Sequence, residues 1–266
     1  QTAERYIKDY GCDVVRLWVA SQDYRSDIVV SEERLKKVGE TYRLIRNTLR
    51  YQLSNLYDFN PATQAVADDQ LSGLDRWILG EFATLEAAVA KAYDTYEFHV
   101  VYQLISQFCA VQLSAMYHDV VKDRLYTDPA GSDRRRSTQS ALHRILTRLT
   151  QALAPILAFT ADEAWEQIPG VATKSVHLSL WNPSTGAVPT EPAWAALFSL
   201  REQALPELEK ARQAKLIGKS LDAVLHFALP TADRALVASH EAELRELCNC
   251  SAVTVTEAAE RQITVQ

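Results

Sequence analysis

The segment over residues 31–56 constrains this chain more than any other. Tyr42, Ile45, Leu49, Leu53 and Leu56 recur at steps of three and four, so a helix gathers them on one narrow arc that has to be buried. Ser31 suits the N-cap, Glu32 and Glu33 suit the positive end of the helix dipole, and Asn60-Pro61 ends the pattern. The same period predicts helices over 72–96 (Leu74, Ile78, Leu85, Val89), 97–125 (Val101, Leu104, Phe108, Val111) and 134–153. Their lengths suit antiparallel neighbours in a bundle.

Two flanks read differently. Over 1–30, a short helical pattern closes at Gly11, Val14 to Val19 are too densely apolar for a surface helix, and 23–27 reads as a polar loop. The opening, which lacks Met, reads as a continuation of something longer. Beyond Pro155, Thr160-Ala161-Asp162-Glu163 has the spacing of a capping box leading into Trp165. Proline, glycine, serine and asparagine then cluster over 170–192, which predicts a domain boundary. The tail reads helix (193–216), strand (223–229), helix (232–248), strand (252–256) and strand (263–265), enough for a small α+β module.

Composition narrows the function. Only 8 glycines among 266 residues, with 47% hydrophobic and 23% charged residues, describe an ordered, mainly α-helical chain. No apolar run approaches the roughly 20 residues of a membrane span, and the first residues lack the apolar core of a secretory signal, so a cytoplasmic chain with no membrane partner is expected. The formal charge of -6 argues against indiscriminate coating of nucleic acid while leaving room for a local basic face. Cys12, Cys109, Cys248 and Cys250 are read as reduced thiols, and the six histidines are scattered without metal spacing. No phosphate-cradling glycine loop and no nucleophile beside a base is present, so no catalytic residue, metal ligand or cofactor is assigned to this chain.

One face stands out. Arg43, Arg46, Asn47 and Arg50 fall together beside the apolar stripe of the 31–56 helix, with no acidic residue among them. A solvated helix surface and an RNA-binding face are equally consistent with that pattern. In the stretch 117–126, Asp119, Lys122, Asp123 and Arg124 have the spacing of helical ion pairs, with RNA contact by Lys122 or Arg124 as the lesser reading. Arg134-Arg135-Arg136 reads as a solvated helix start rather than a binding patch, although it sits where a helix dipole disfavours cations, which a nearby anion such as phosphate would relieve.

The run Tyr10-Gly11-Cys12-Asp13-Val14-Val15-Arg16-Leu17-Trp18-Val19-Ala20-Ser21-Gln22-Asp23-Tyr24 resembles the segment that follows the KMSKS signature in isoleucyl-tRNA synthetases. Tyr42-Arg43-Leu44-Ile45-Arg46-Asn47-Thr48 is similar to an element of the bacterial-type members that valyl and leucyl relatives lack. Leu74-Asp75-Arg76-Trp77, residues 93–98, Lys122-Asp123-Arg124-Leu125-Tyr126, Ala154-Pro155-Ile156-Leu157, residues 159–165 and Gly218-Lys219-Ser220-Leu221-Asp222-Ala223 extend the resemblance over nearly the whole chain.

The resemblance implies a class I synthetase whose ATP-dependent activating domain, editing insertion and zinc module lie outside these residues. It implies a stem-contact junction over 1–35, a helical-bundle anticodon-binding domain over 36–182 and a C-terminal α+β junction module over 193–266. The implied partner is isoleucine tRNA, bound by a monomer. Arg43, Arg46 and Arg50 would hold its backbone, with Asn47 adding hydrogen bonds or positioning Arg50. Trp77 and Trp165 are candidates for stacking on bases, although core packing is the stronger reading for both. A passive scaffold and a protein-interaction module are the alternatives to RNA recognition.

Overall fold

The computed structural model describes residues 3–28, 30–184, 191 and 193–266. Most of the 170–192 boundary region is among them; 185–190 and 192 lie outside. The chain divides into two compact units, Gln1–Pro189 and Thr190–Gln266.

The first unit is helical. Helices α1 (Ala3–Tyr10) and α2 (Cys12–Ala20) are separated by Gly11, whose φ of 91° is a conformation open to glycine at little cost. The dense apolar run predicted off the surface is thus a helix, with Val14 and Leu17 buried and Val19 exposed. Residues 1–35, expected as a junction, fold within the first unit, where α2 packs on α3 (Glu32–Ser54). Ser31 caps α3 by accepting from the Arg34 amide at 3.2 Å. Its buried stripe is Leu35, Val38, Ile45 and Leu49, extended by Thr48 and Gln52.

Helix α4 (Gly73–Asp94) is capped by Ser72, and α5 (Phe98–Phe108) follows it back. The single helix expected over 97–125 is broken. Cys109–Tyr117 winds as a π-helix, His118–Val120 returns to α-helical form, and a break at Val121 precedes α6 (Lys122–Tyr126). Cys109, Leu113 and Tyr117, each fully buried, are four apart, near the wider period of i→i+5 winding. Helix α7 (Asp133–Leu153) runs through the core and buries Ala141, Leu142, Ile145, Leu146 and Leu149 completely. Helix α8 (Ala158–Trp165) does not begin with the expected capping box: Thr160 lies inside it. The Asp13 carboxylate of α2 instead accepts from the Thr160 amide at 2.6 Å and the Phe159 amide at 3.4 Å, supplying the anion that a helix N-terminus favours.

In the second unit, α9 (Ala193–Gln213) packs on β3 (Gln262–Val265), which forms a sheet with β1 (Val224–Leu229) and β2 (Ala252–Glu257). The strand order is β2-β1-β3, with β1 parallel to β2 and antiparallel to β3. Leu225, Phe227 and Leu229 alternate into the core of this unit. The expected helix over 232–248 is two, α10 (Thr231–Val237) and α11 (Glu241–Cys248), and Asn249 in the left-handed region ends the second. No described helix is long and apolar enough to cross a membrane.

Candidate nucleic-acid interface

The buried side of α3 is fixed in rotation by polar contacts as well as by its stripe. Tyr42 shares a hydroxyl hydrogen bond with Thr160 at 2.9 Å, and Thr41 one with Tyr102 at 3.1 Å. Lower on the helix, the Tyr51 hydroxyl donates to the His118 carbonyl at 3.2 Å, and the Gln52 amide nitrogen lies 3.2 Å from His118 Nε2. A helix held at this many points cannot roll, so its opposite face is presented in one orientation.

That face carries Arg43, Arg46, Asn47 and Arg50, all exposed. Among the described residues, no carboxylate pairs with any of the three arginines. Other arginines of the first unit behave otherwise. Arg25 pairs with Asp23 at 2.8 Å, Arg134 with Asp128 at 2.7 Å, Arg135 with Asp58 at 2.5 Å and Arg148 with Glu86 at 2.8 Å. Arg16 donates to the Ile156 and Pro155 carbonyls, both at 2.8 Å. Three adjacent guanidiniums left to solvent are a concentrated, uncompensated positive charge on an acidic chain.

The helical period adds Lys36 and Gly39 to this face, so that six residues share an arc of roughly 100°. Lys36, exposed, was legible from its seven-residue spacing to Arg43 and Arg50. Gly39 has no structural need to be glycine: a Cβ built there meets nothing within 4 Å. Glycine inside a helix costs about 1 kcal/mol relative to alanine, so Gly39→Ala is expected to raise the unfolding midpoint, as differential scanning calorimetry would register. An unchanged or lowered midpoint would mean that the glycine serves the fold.

The remaining candidates separate. Lys122 is exposed and pairs with Asp119 at 3.0 Å. Arg124 cannot contact RNA: only 3% of its side chain is exposed, and its guanidinium donates to Asp75 at 3.2 Å, Ser72 at 2.8 Å and Thr138 at 3.2 Å. Trp77 and Trp165 are buried, and the Trp165 indole donates to the Thr173 carbonyl at 3.0 Å, so the stacking assignment gives way to core packing. The Arg134-Arg135-Arg136 run needs no phosphate, because Asp58 and Asp128 supply the anions; hydrogen bonds from Arg135 and Arg134 hold their carboxyls below the usual range. Cys248 and Cys250 are buried, and burial pushes their thiols up to about 12 and about 11; among the described residues no group of three or more His, Cys, Asp or Glu is placed to hold a metal ion.

Residues 75–227 match the anticodon-binding domain of tRNA ligase. The chain belongs to that family. It is similar to the isoleucine–tRNA ligase of Syntrophotalea carbinolica, 46% identical over 85% of this chain and 25% of the relative, and to that of Geobacter sulfurreducens, 40% identical over 96% of this chain and 28% of the relative. The chain therefore spans about a quarter of the length of these curated relatives. Among solved structures, it resembles a chain of the ternary LeuRS-tRNA-LeuAMS complex of Agrobacterium radiobacter K84 (agnB2). The TM-score is 0.52 at 14% identity, over 70% of this chain and 22% of that one, a likeness of fold.

Proposed function

We propose that this chain is the tRNA-recognition part of an isoleucine–tRNA ligase, and that α3 holds the tRNA backbone through Arg43, Arg46 and Arg50. The observation that carries this reading is the set of three exposed arginines without an internal carboxylate, in a chain of the anticodon-binding family. Guanidiniums at helical spacing meet successive phosphates as point charges and as forked hydrogen-bond donors. Asn47, within their arc, adds donors and an acceptor for a ribose hydroxyl or a base edge. Lys36 extends the positive strip by two turns, and Gly39 lets a sugar-phosphate backbone come close to the helix between them. In this reading, residues 1–35 approach the stem, 36–182 reach the anticodon arm, and 193–266 connect onward. ATP-dependent charging with isoleucine belongs to residues outside this chain.

The test is equilibrium binding of the chain to isoleucine tRNA, and to the same tRNA with an altered anticodon, across a salt series. Each phosphate contact contributes about 0.7 to the slope of log affinity against log salt for single-stranded RNA. The Arg43→Gln, Arg46→Gln, Arg50→Gln triple variant should therefore lose about 2 from that slope and bind more weakly at low salt. Preference for the authentic anticodon would place base reading in these residues. An unchanged slope would move the contact away from α3, and no binding by the unsubstituted chain would favour a passive scaffold.

A further inference from the structure

At the end of α3 the basic face runs into a pair of exposed aromatic rings. Tyr57 is 82% exposed and Tyr126 is 64% exposed. Both follow or precede residues that hold one buried cation. Asp58, next to Tyr57, clamps the guanidinium of Arg135, a side chain only 4% exposed, at 2.5 and 3.0 Å. The same guanidinium donates to the carbonyl of Leu125 at 3.3 Å, the residue before Tyr126. Arg135 thus ties together the neighbours of both tyrosines.

Tyr126 lies near Tyr51, whose hydroxyl donates to the His118 carbonyl at 3.2 Å and whose ring stacks on His118 at 4.3 Å between centroids. Tyr51 follows Arg50 directly, so the cationic strip and the rings are continuous through one residue. Asp119, the acidic neighbour on this side, is neutralised by Lys122. The fold therefore brings two exposed π faces to the end of the helix that carries the unpaired arginines, an arrangement suited to single-stranded RNA, where backbone charge and base stacking are met side by side.

We infer that Tyr57 and Tyr126 form a platform on which unpaired nucleobases of the bound RNA stack. This rests on the proposal that α3 binds tRNA, and deepens it by assigning a base-contact site next to a backbone-contact site. The rings supply affinity that salt does not screen, while the arginines supply affinity that it does.

The experiment measures binding of the chain to isoleucine tRNA over the same salt series, with Tyr57→Leu, Tyr126→Leu and the corresponding phenylalanine variants. Leucine keeps an apolar surface but removes the π face; phenylalanine keeps the ring and removes the hydroxyl. Each leucine variant should bind roughly 5- to 100-fold more weakly at every salt concentration, with an unchanged salt slope and an unchanged unfolding midpoint. Each phenylalanine variant should bind within a few-fold of the parent. Leucine variants that bind like the parent overturn the platform, as do phenylalanine variants as weak as leucine ones. Should the arginine triple variant keep its full slope while leucine still weakens binding, the α3 backbone reading fails and the platform stands. If the unsubstituted chain binds no tRNA, both fall.

Discussion

Arg124→Met is expected to destabilise the first unit by about 3–5 kcal/mol, the loss associated with leaving one member of a buried ion pair without its partner. Asp75 is fully buried and collects donors from separate parts of the chain: Ser72 at 2.7 Å, Ser137 at 2.5 Å, Tyr117 at 2.5 Å and Arg124 at 3.2 Å. Its charge ties α4 to the π-helical segment, to α6 and to the start of α7. Without the guanidinium, a carboxylate stays in a low-dielectric site with only neutral donors, and burial with that charge has already pushed the Tyr117 hydroxyl well above its ordinary range. Urea denaturation followed by tryptophan fluorescence would show the loss as a lowered midpoint. Adding Asp75→Leu to Arg124→Met should recover much of it, because the unpaired charge is then gone. An Arg124→Met chain as stable as the parent would show that the pair contributes nothing. The same variant, studied where it is folded, should bind tRNA with the parental salt slope, since Arg124 lies inside.

That pair shows where sequence stops being sufficient. The spacing of Asp119, Lys122, Asp123 and Arg124 suggested pairs along one helix, and Lys122 with Asp119 does form one. Arg124 instead finds Asp75, 49 residues away, because only the folded chain brings α4 and α6 together. The cap of α8 follows the same logic: local spacing pointed to Thr160 and Glu163, yet the carboxylate comes from Asp13, 147 residues from Thr160. Nor does the π-helical winding of Cys109–Tyr117 leave a mark that an apolar period of three and four could reveal. The arginine triplet 134–136 read first as a solvated helix start, whereas Arg135 is buried on Asp58 and Arg134 pairs with Asp128.

What was legible lies on the surface of long elements. The α3 face needed no partner to be found, because its position follows from helical period alone and from the absence of acids between Arg43 and Arg50. The strands of the second unit were legible for the related reason that alternation by two marks a half-buried strand; Val224–Leu229 and Ala252–Glu257 fall within a residue of the expected bounds. The tyrosine platform was not legible, because neither Tyr57 nor Tyr126 has a periodic signature, and their proximity depends on Arg135 reaching the Leu125 carbonyl.

The second large effect should appear with pH. His118 is buried, with Gln52 and the Tyr51 ring against it. Burial first, and the charge of Lys122 second, push its pKa down from 6.5 to about 3. The unfolded chain takes up a proton on this imidazole as the pH falls through about 6.5, while the folded chain does not until about 3. Between these limits the unfolded state binds more protons, so stability is full above about 6.5 and declines as the solution is acidified, by about 2–3 kcal/mol at pH 4.5. His143, also lowered chiefly by burial, acts in the same direction. The lowered carboxyls of Asp58 and Asp128 are felt at lower pH, as unfolded aspartates begin to protonate near 4. The His118→Gln chain has no proton to take up at this position, so its stability measured by urea titration should vary much less between pH 6.5 and 4.5 than that of the parent. A parental slope retained in full by His118→Gln would assign the acid sensitivity to other groups. A slope that flattens would establish that the neutral imidazole beneath Tyr51 is the protonation-sensitive point of the first unit.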